Sequence, residues 1–164
     1  MPLSISALKA AHKAYTYAHW IRLWQKSPPF NHTNNIDPQV MQKSFVKLTA
    51  SFPKCLTGAY MALCTQHAPL CHHLHRIGKT PSQHCPHCPG INETVLHLLL
   101  DCPLYCHKHH ALVTTLGCKA TSLSFLLSDP SATQHLVCFL NATQHFRKTF
   151  GELPIPSPPS DRHN

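Results

Sequence analysis

The chain has 164 residues, 43% apolar and 12% charged, with Lys and Arg totalling 14 against 6 Asp and Glu, for a formal net charge of +8. That length suits one compact domain, or a small core carrying an ordered appendage. The carboxylates Asp37, Glu93, Asp101, Asp129, Glu152 and Asp161 are scattered. A clustered acidic metal site of the polymerase or nuclease type is therefore not expected, and a large hydrolytic or polymerising active site is close to excluded.

Along the chain, residues 4–26 read as a helix, with Ser4 or Ser6 as cap and Trp20, Ile21 and Trp24 giving its end an apolar face. Ser27-Pro28-Pro29 stops it. A polar loop is expected from Asn31 to Pro38, then a helical stretch over 41–51 with Phe45 and Leu48 on one face. Pro53 opens a further helix in which Leu56, Tyr60 and Leu63 recur at helical spacing. A short helix is predicted from Pro69 to Ile77, before Gly78. Residues 78–92 are rich in turn formers, with two Cys among Pro81, Pro86, Pro89 and Gly90. Thr94–Leu100 reads as a brief apolar helix, Leu104–Leu116 as a helix stopped by Gly117, and Leu123–Leu127 and Pro130–Phe150 as two more. Pro154, Pro156, Pro158 and Pro159 mark a flexible or extended tail. The expected class is mainly α, a multi-helix domain with a cysteine-bearing turn between helices. Its segments are an N-terminal helical region (1–77), the turn motif with the following helix (78–118), C-terminal helices (119–151) and a disordered Pro-rich tail (152–164).

The charge balance points toward an anionic partner, of which nucleic acid is the commonest. Sixteen His would raise the positive charge further below neutrality. Met1-Pro2-Leu3-Ser4-Ile5-Ser6 lacks the apolar run of a secretory signal, and no stretch approaches the ~20 apolar residues of a membrane span. A nuclear or cytoplasmic location and no membrane partner are expected. In such a reducing compartment paired Cys read first as metal or redox chemistry.

Cys85-Pro86-His87-Cys88, His97 and Cys102 form C-x2-C-x8-H-x4-C. Two thiolates three positions apart can face one cation where the chain turns sharply, and Gly90 with the prolines supplies that turn. His97 and Cys102 stand about 140° apart on an ideal helix, so they meet one ion only if the helix ends between them, and Pro103 gives a reason for that ending. Three sulfurs and one imidazole favour tetrahedral zinc with no open position for a catalytic water. The expected domain is thus a multi-helix one with a zinc-stapled Cys3His turn between helices, and 78–118 is its zinc-binding motif with the following helix.

Cys-Pro-His-Cys is also the tetrapeptide of strongly oxidising thioredoxin-like enzymes, which makes a thiol oxidoreductase at Cys85 and Cys88 one alternative. That chemistry needs an apolar strand before the motif and a helix opening inside it. Lys79-Thr80-Pro81-Ser82-Gln83-His84 and Pro89-Gly90 offer neither. Cys106, His107, His109 and His110 lack a turn-borne thiolate pair and read as a helix surface, while Cys55, Cys64 and Cys71 read as core. Arg76, Lys79 and Lys108 flank the zinc motif as candidate phosphate contacts, and Tyr105 and His87 are aromatic groups able to stack on bases.

Through these residues the chain resembles the C-terminal tail of LINE-type (non-LTR) retrotransposon polyproteins of fungi, the part after reverse transcriptase and ribonuclease H. The resemblance runs over roughly residues 2–150, through Leu3-Ser4-Ile5-Ser6-Ala7-Leu8-Lys9, Ile36-Asp37-Pro38, His73-Leu74-His75-Arg76-Ile77-Gly78-Lys79, Cys85-Pro86-His87-Cys88, Glu93-Thr94-Val95 with His97, Asp101-Cys102-Pro103, His110-Ala111-Leu112 and Leu126-Leu127-Ser128-Asp129-Pro130. It implies zinc on Cys85, Cys88, His97 and Cys102, and a non-catalytic tail that binds RNA or DNA with weak sequence preference and takes no small-molecule substrate. Departures are concentrated at Arg. Cys64-Thr65-Gln66-His67 stands where the family often has Arg-Thr-Gly-His, Gln144-His145-Phe146 where it has Gly-Arg-Phe, and Cys106-His107-Lys108-His109 in an Arg-rich stretch. Only Arg22, Arg76, Arg147 and Arg162 remain, the pattern that C-to-T change at Arg codons would leave in a decayed copy. Such a loss weakens phosphate binding, since neutral His does not replace guanidinium. An inert or domesticated helical interaction protein is the other alternative.

Overall fold

The structure, a computed structural model, describes residues 4–39 and 43–156. It is mainly α-helical, and among the described residues the only β pairing is an isolated antiparallel bridge between His84 and Asn92. Helix α1 (Ile5–Gln25) is capped by Ser4, whose hydroxyl accepts the Ala7 N–H at 3.2 Å. None of its residues is buried. The apolar face expected at Trp20, Ile21 and Trp24 therefore does not enter the core. Trp20 is 51% exposed, and Trp24 is half-buried edge-on against Phe30.

The stretch from Asn31 that reads as a polar loop is instead helix α2 (Phe30–Ile36). Its last residue, Ile36, is buried, and the imidazole of His32 is 3.1 Å from the Cys64 carbonyl, so tertiary contacts override a weakly helical sequence. Helix α3 (Ser44–Thr49) is shorter than the predicted 41–51; residues 41 and 42 lie outside the described residues. Helix α4 (Lys54–Cys64) buries Leu56, Ala59, Tyr60 and Leu63, the i, i+3, i+4, i+7 stripe of a core-facing helix.

Helix α4 ends in a Schellman motif. The His67 N–H donates to Ala62 and the Gln66 N–H to Leu63, with Gln66 left-handed at φ 58°. Helix α5 (Cys71–Arg76) closes the same way, with Gly78 at φ 70°. Beyond the turn-rich segment come α6 (Cys106–Leu116), α7 (Leu123–Ser128) and α8 (Pro130–Thr143). Ser122 caps α7. Asp129 caps α8 by accepting the Ser131 N–H at 2.8 Å, with Pro130 in the first turn.

The single helix expected over Pro130–Phe150 is broken. Gln144 turns left-handed at φ 62°, and a short α9 follows over Arg147–Phe150. The break lets Phe146 enter the core. One buried cluster joins α2 and α4 to α7, α8 and Phe146, so segments far apart in the chain share a core. Helices α4 and α9 meet closely at Gly58, where a Cβ would stand 3.2 Å from the Phe150 ring.

The tail departs from the expected disorder at its start. Leu153 is buried, its N–H donating to Asn141 Oδ1 at 2.9 Å and its carbonyl accepting from Asn141 Nδ2 at 2.8 Å. Burying a leucine and satisfying its backbone ties this part of the chain to α8. Residues 157–164 of the predicted tail lie outside the described residues. Among the described residues no helix is long and apolar enough to cross a membrane.

Candidate metal centre

The segment between α5 and α6 is a knuckle followed by a tight helical turn. Residues 83–85 and 91–93 run antiparallel: the Glu93 N–H donates to Gln83 at 3.0 Å and the Cys85 N–H to Ile91 at 2.7 Å. Between them the Cys88 N–H donates to Cys85 and the Ile91 N–H to Cys88. These two successive turns fold Cys88 back beside Cys85. Gly90 sits at φ 76°, a left-handed position that side chains resist.

Thr94 then starts the next turn, its hydroxyl accepting the His97 N–H at 3.1 Å. His97–Asp101 is a π-helix, and the Cys102 N–H closes it by donating to the His97 carbonyl at 2.8 Å. The helix ends between His97 and Cys102, at Asp101, as the spacing and Pro103 lead one to expect. It ends through a widened turn, whose i→i+5 bond joins the two candidate ligands. Cys102 is extended (ψ 117°), as the residue before a proline prefers to be, and Pro103–Tyr105 continues as a 3₁₀ turn.

The donor atoms of Cys85, Cys88, His97 and Cys102 all lie within 4.8 Å of one another. Sulfurs on ~2.3 Å bonds to a tetrahedral ion stand about 3.8 Å apart, and Cys88 Sγ and Cys102 Sγ are 3.9 Å apart. All four residues are buried, between 1% and 8% exposed. His97 Nε2 is buried with no hydrogen-bond partner, an arrangement that costs about 1–3 kcal/mol unless something ligates it. Burial and the neighbouring Cys85 and Cys102 push the Cys88 thiol up to about 11, and burial likewise raises Cys102. Crowded sulfurs that resist ionisation alone are what a dication can convert to thiolates, releasing their protons. The residues present thus fit a metal ion, and all described cysteines are free of disulfides.

Glu93, invisible as a site residue in the sequence, ties the knuckle to the rest of the molecule. It is 3% exposed. Its Oε2 accepts the Cys71 N–H at 2.7 Å, capping α5 from across the fold, and its Oε1 lies 3.2 Å from His145 Nε2. Burial lowers the His145 pKa despite the carboxylate, with His87 adding to the lowering, so a neutral imidazole donates to Glu93. The Tyr105 hydroxyl lies 3.4 Å from the same nitrogen. Tyr105 is buried, which removes it as a base-stacking group, whereas His87 is exposed.

The three cations singled out in the sequence differ in setting. Arg76, at the end of α5, is exposed and within 3.1 Å of His73 Nδ1, and Lys79 is exposed just beyond Gly78. Lys108 is half-buried, its ammonium 5.6 Å over the Tyr105 ring. Cys106, His107 and His110 are exposed on α6, while His109 is half-buried, stacking on Phe139 with its Nε2 3.0 Å from the Leu98 carbonyl. Cys55, Cys64 and Cys71, expected in the core, are each only half-buried. No protein-family model, curated protein or solved structure matches the chain.

Proposed function

We propose that this chain is a zinc-stapled, non-catalytic nucleic-acid-binding domain of the kind that ends LINE-type retrotransposon polyproteins. The observation that carries the reading is the buried Cys3His group with its unpartnered His97 Nε2. Three soft sulfurs and an imidazole at tetrahedral spacing select zinc over harder cations, and four protein ligands leave no position for a reacting water. Such an ion closes the knuckle onto the π turn and contributes folding energy there.

Nucleic-acid binding is supported by the net charge of +8, with phosphate contacts as its main source and exposed Arg76 and Lys79 beside the knuckle. The resemblance gains support from two backbone positions. Gln66 and Gln144 adopt left-handed φ of 58° and 62°, and both fall where the family carries Gly. Redox chemistry at Cys85 and Cys88 is disfavoured: both are buried, and no helix opens at the motif to favour a thiolate there.

The test is an electrophoretic shift of single-stranded RNA by zinc-loaded protein across a salt series. Binding that weakens steeply with salt is expected. Absence of binding even at low salt would leave a folded interaction protein in its place.

A further inference from the structure

Helix α1 is the least explained part of the molecule. It runs 21 residues, about 31 Å, with no buried residue and no Asp or Glu anywhere from 4 to 26. Lys9, Lys13, Thr16 and Trp20 follow one stripe at i, i+4, i+7 and i+11, and all four are exposed. Tyr17 lies one turn beyond Lys13 and is 48% exposed. Trp24 lies one turn beyond Trp20, its ring within 3° of parallel at 6.1 Å. The stripe is therefore cationic in its first half and aromatic in its second. The chain's two tryptophans are both on it.

We infer that this face of α1 binds a single-stranded polynucleotide, its lysines against phosphates and Trp20 against a base. The inference rests on the nucleic-acid reading above and deepens it by naming the surface. Charge of one sign fits a polyanion, and flat exposed rings fit unpaired bases, which a duplex keeps stacked internally. The rival occupant is a second copy of the chain. Ile5, Leu8, Tyr15 and Leu23 are exposed at roughly coiled-coil spacing, but His12 and His19 interrupt that seam. Two such helices would also bring only like charges together at their flanks.

Because only α1 carries tryptophan, intrinsic fluorescence reports on this helix alone. The experiment titrates the zinc-loaded chain with a 20-nucleotide oligouridine, following tryptophan emission together with anisotropy of a label on the RNA. Emission is expected to be quenched along the binding curve, and a 20-base-pair duplex to quench far less. Trp20→Ala is expected to weaken binding about fivefold or more, as the loss of one stacked base does. Lys9→Gln with Lys13→Gln is expected to reduce the salt slope by about 1.4, two phosphates at about 0.7 each. The exposed positions leave the fold intact, which helicity checks.

RNA binding by anisotropy, with no change in emission and no effect of these variants, would overturn the α1 assignment while leaving nucleic-acid binding in place elsewhere. Absence of any binding would overturn both. Equal quenching by duplex would remove the stacking role, and a dimer disrupted by Leu8→Ala would give the face to a second copy.

Discussion

The knuckle with its π turn and helix α1 use similar lengths of chain in opposite ways. The first has little regular structure yet buries Cys85, Cys88, Glu93, Val95, His97, Leu98, Leu99 and Cys102. The second is the longest helix described and buries nothing. In the knuckle, irregular backbone is tolerated because successive turns and the Thr94 hydroxyl satisfy its polar groups. In α1, Ala7, Ala10, Ala11, Ala14 and Ala18 support the helix through intrinsic propensity, without a core to face. Helix length therefore does not by itself mark what is buried in this protein. On the proposed zinc reading the knuckle folds around its ligand cluster, and the long α1 is left for contact.

Breaking the metal centre should have the largest effect. Cys102→Ser should abolish stoichiometric zinc and unfold residues 83–105, since structural zinc contributes on the order of 10 kcal/mol; zinc content and hydrogen exchange across that segment check this. Glu93→Ala should cost about 2–3 kcal/mol in chemical denaturation, because it leaves the Cys71 N–H and His145 without their buried partner. Glu93→Gln should cost less, as an amide oxygen still caps α5.

Acid should sharpen the same contrast. His145 has its folded-state pKa lowered by burial, so the unfolded chain takes up its proton first, and stability should fall as pH drops below about 6.5. His145→Gln should flatten that slope in denaturation curves measured over the range. A smaller effect, of opposite sign, is expected at Gln66. Gln66→Gly should stabilise by up to about 1 kcal/mol by relieving a left-handed side-chain-bearing residue, visible as a raised denaturation midpoint. Lys9→Gln with Lys13→Gln on α1 should leave stability unchanged within about 0.5 kcal/mol.

The candidate ligands were legible in the sequence because C-x2-C-x8-H-x4-C is a local spacing with a direct geometric meaning. The ending between His97 and Cys102 was legible too, from the helix geometry and Pro103. Its widened π turn was not, because it reflects packing that spacing does not encode. The major helices were legible where apolar periodicity was strong, as in α4. Helix α2 was not, because Asn31, His32, Thr33 and Asn34 favour loops and only Ile36 and the contact to Cys64 reveal the tertiary reason. The break after α8 also escaped, since Gln144 gives no sign of left-handed backbone where glycine would. Glu93 was hidden because Cys71 and His145, which define its role, are distant in sequence. Proline content likewise concealed the docking of Leu153 on Asn141.

The most direct measurement is metal content of the reduced, purified chain by native mass spectrometry, with helicity followed as a chelator is added. One zinc per chain is expected, and its removal should cost the structure around 83–105 and loosen α5 through Glu93. A chain that purifies without metal and keeps its full helicity would contradict the account.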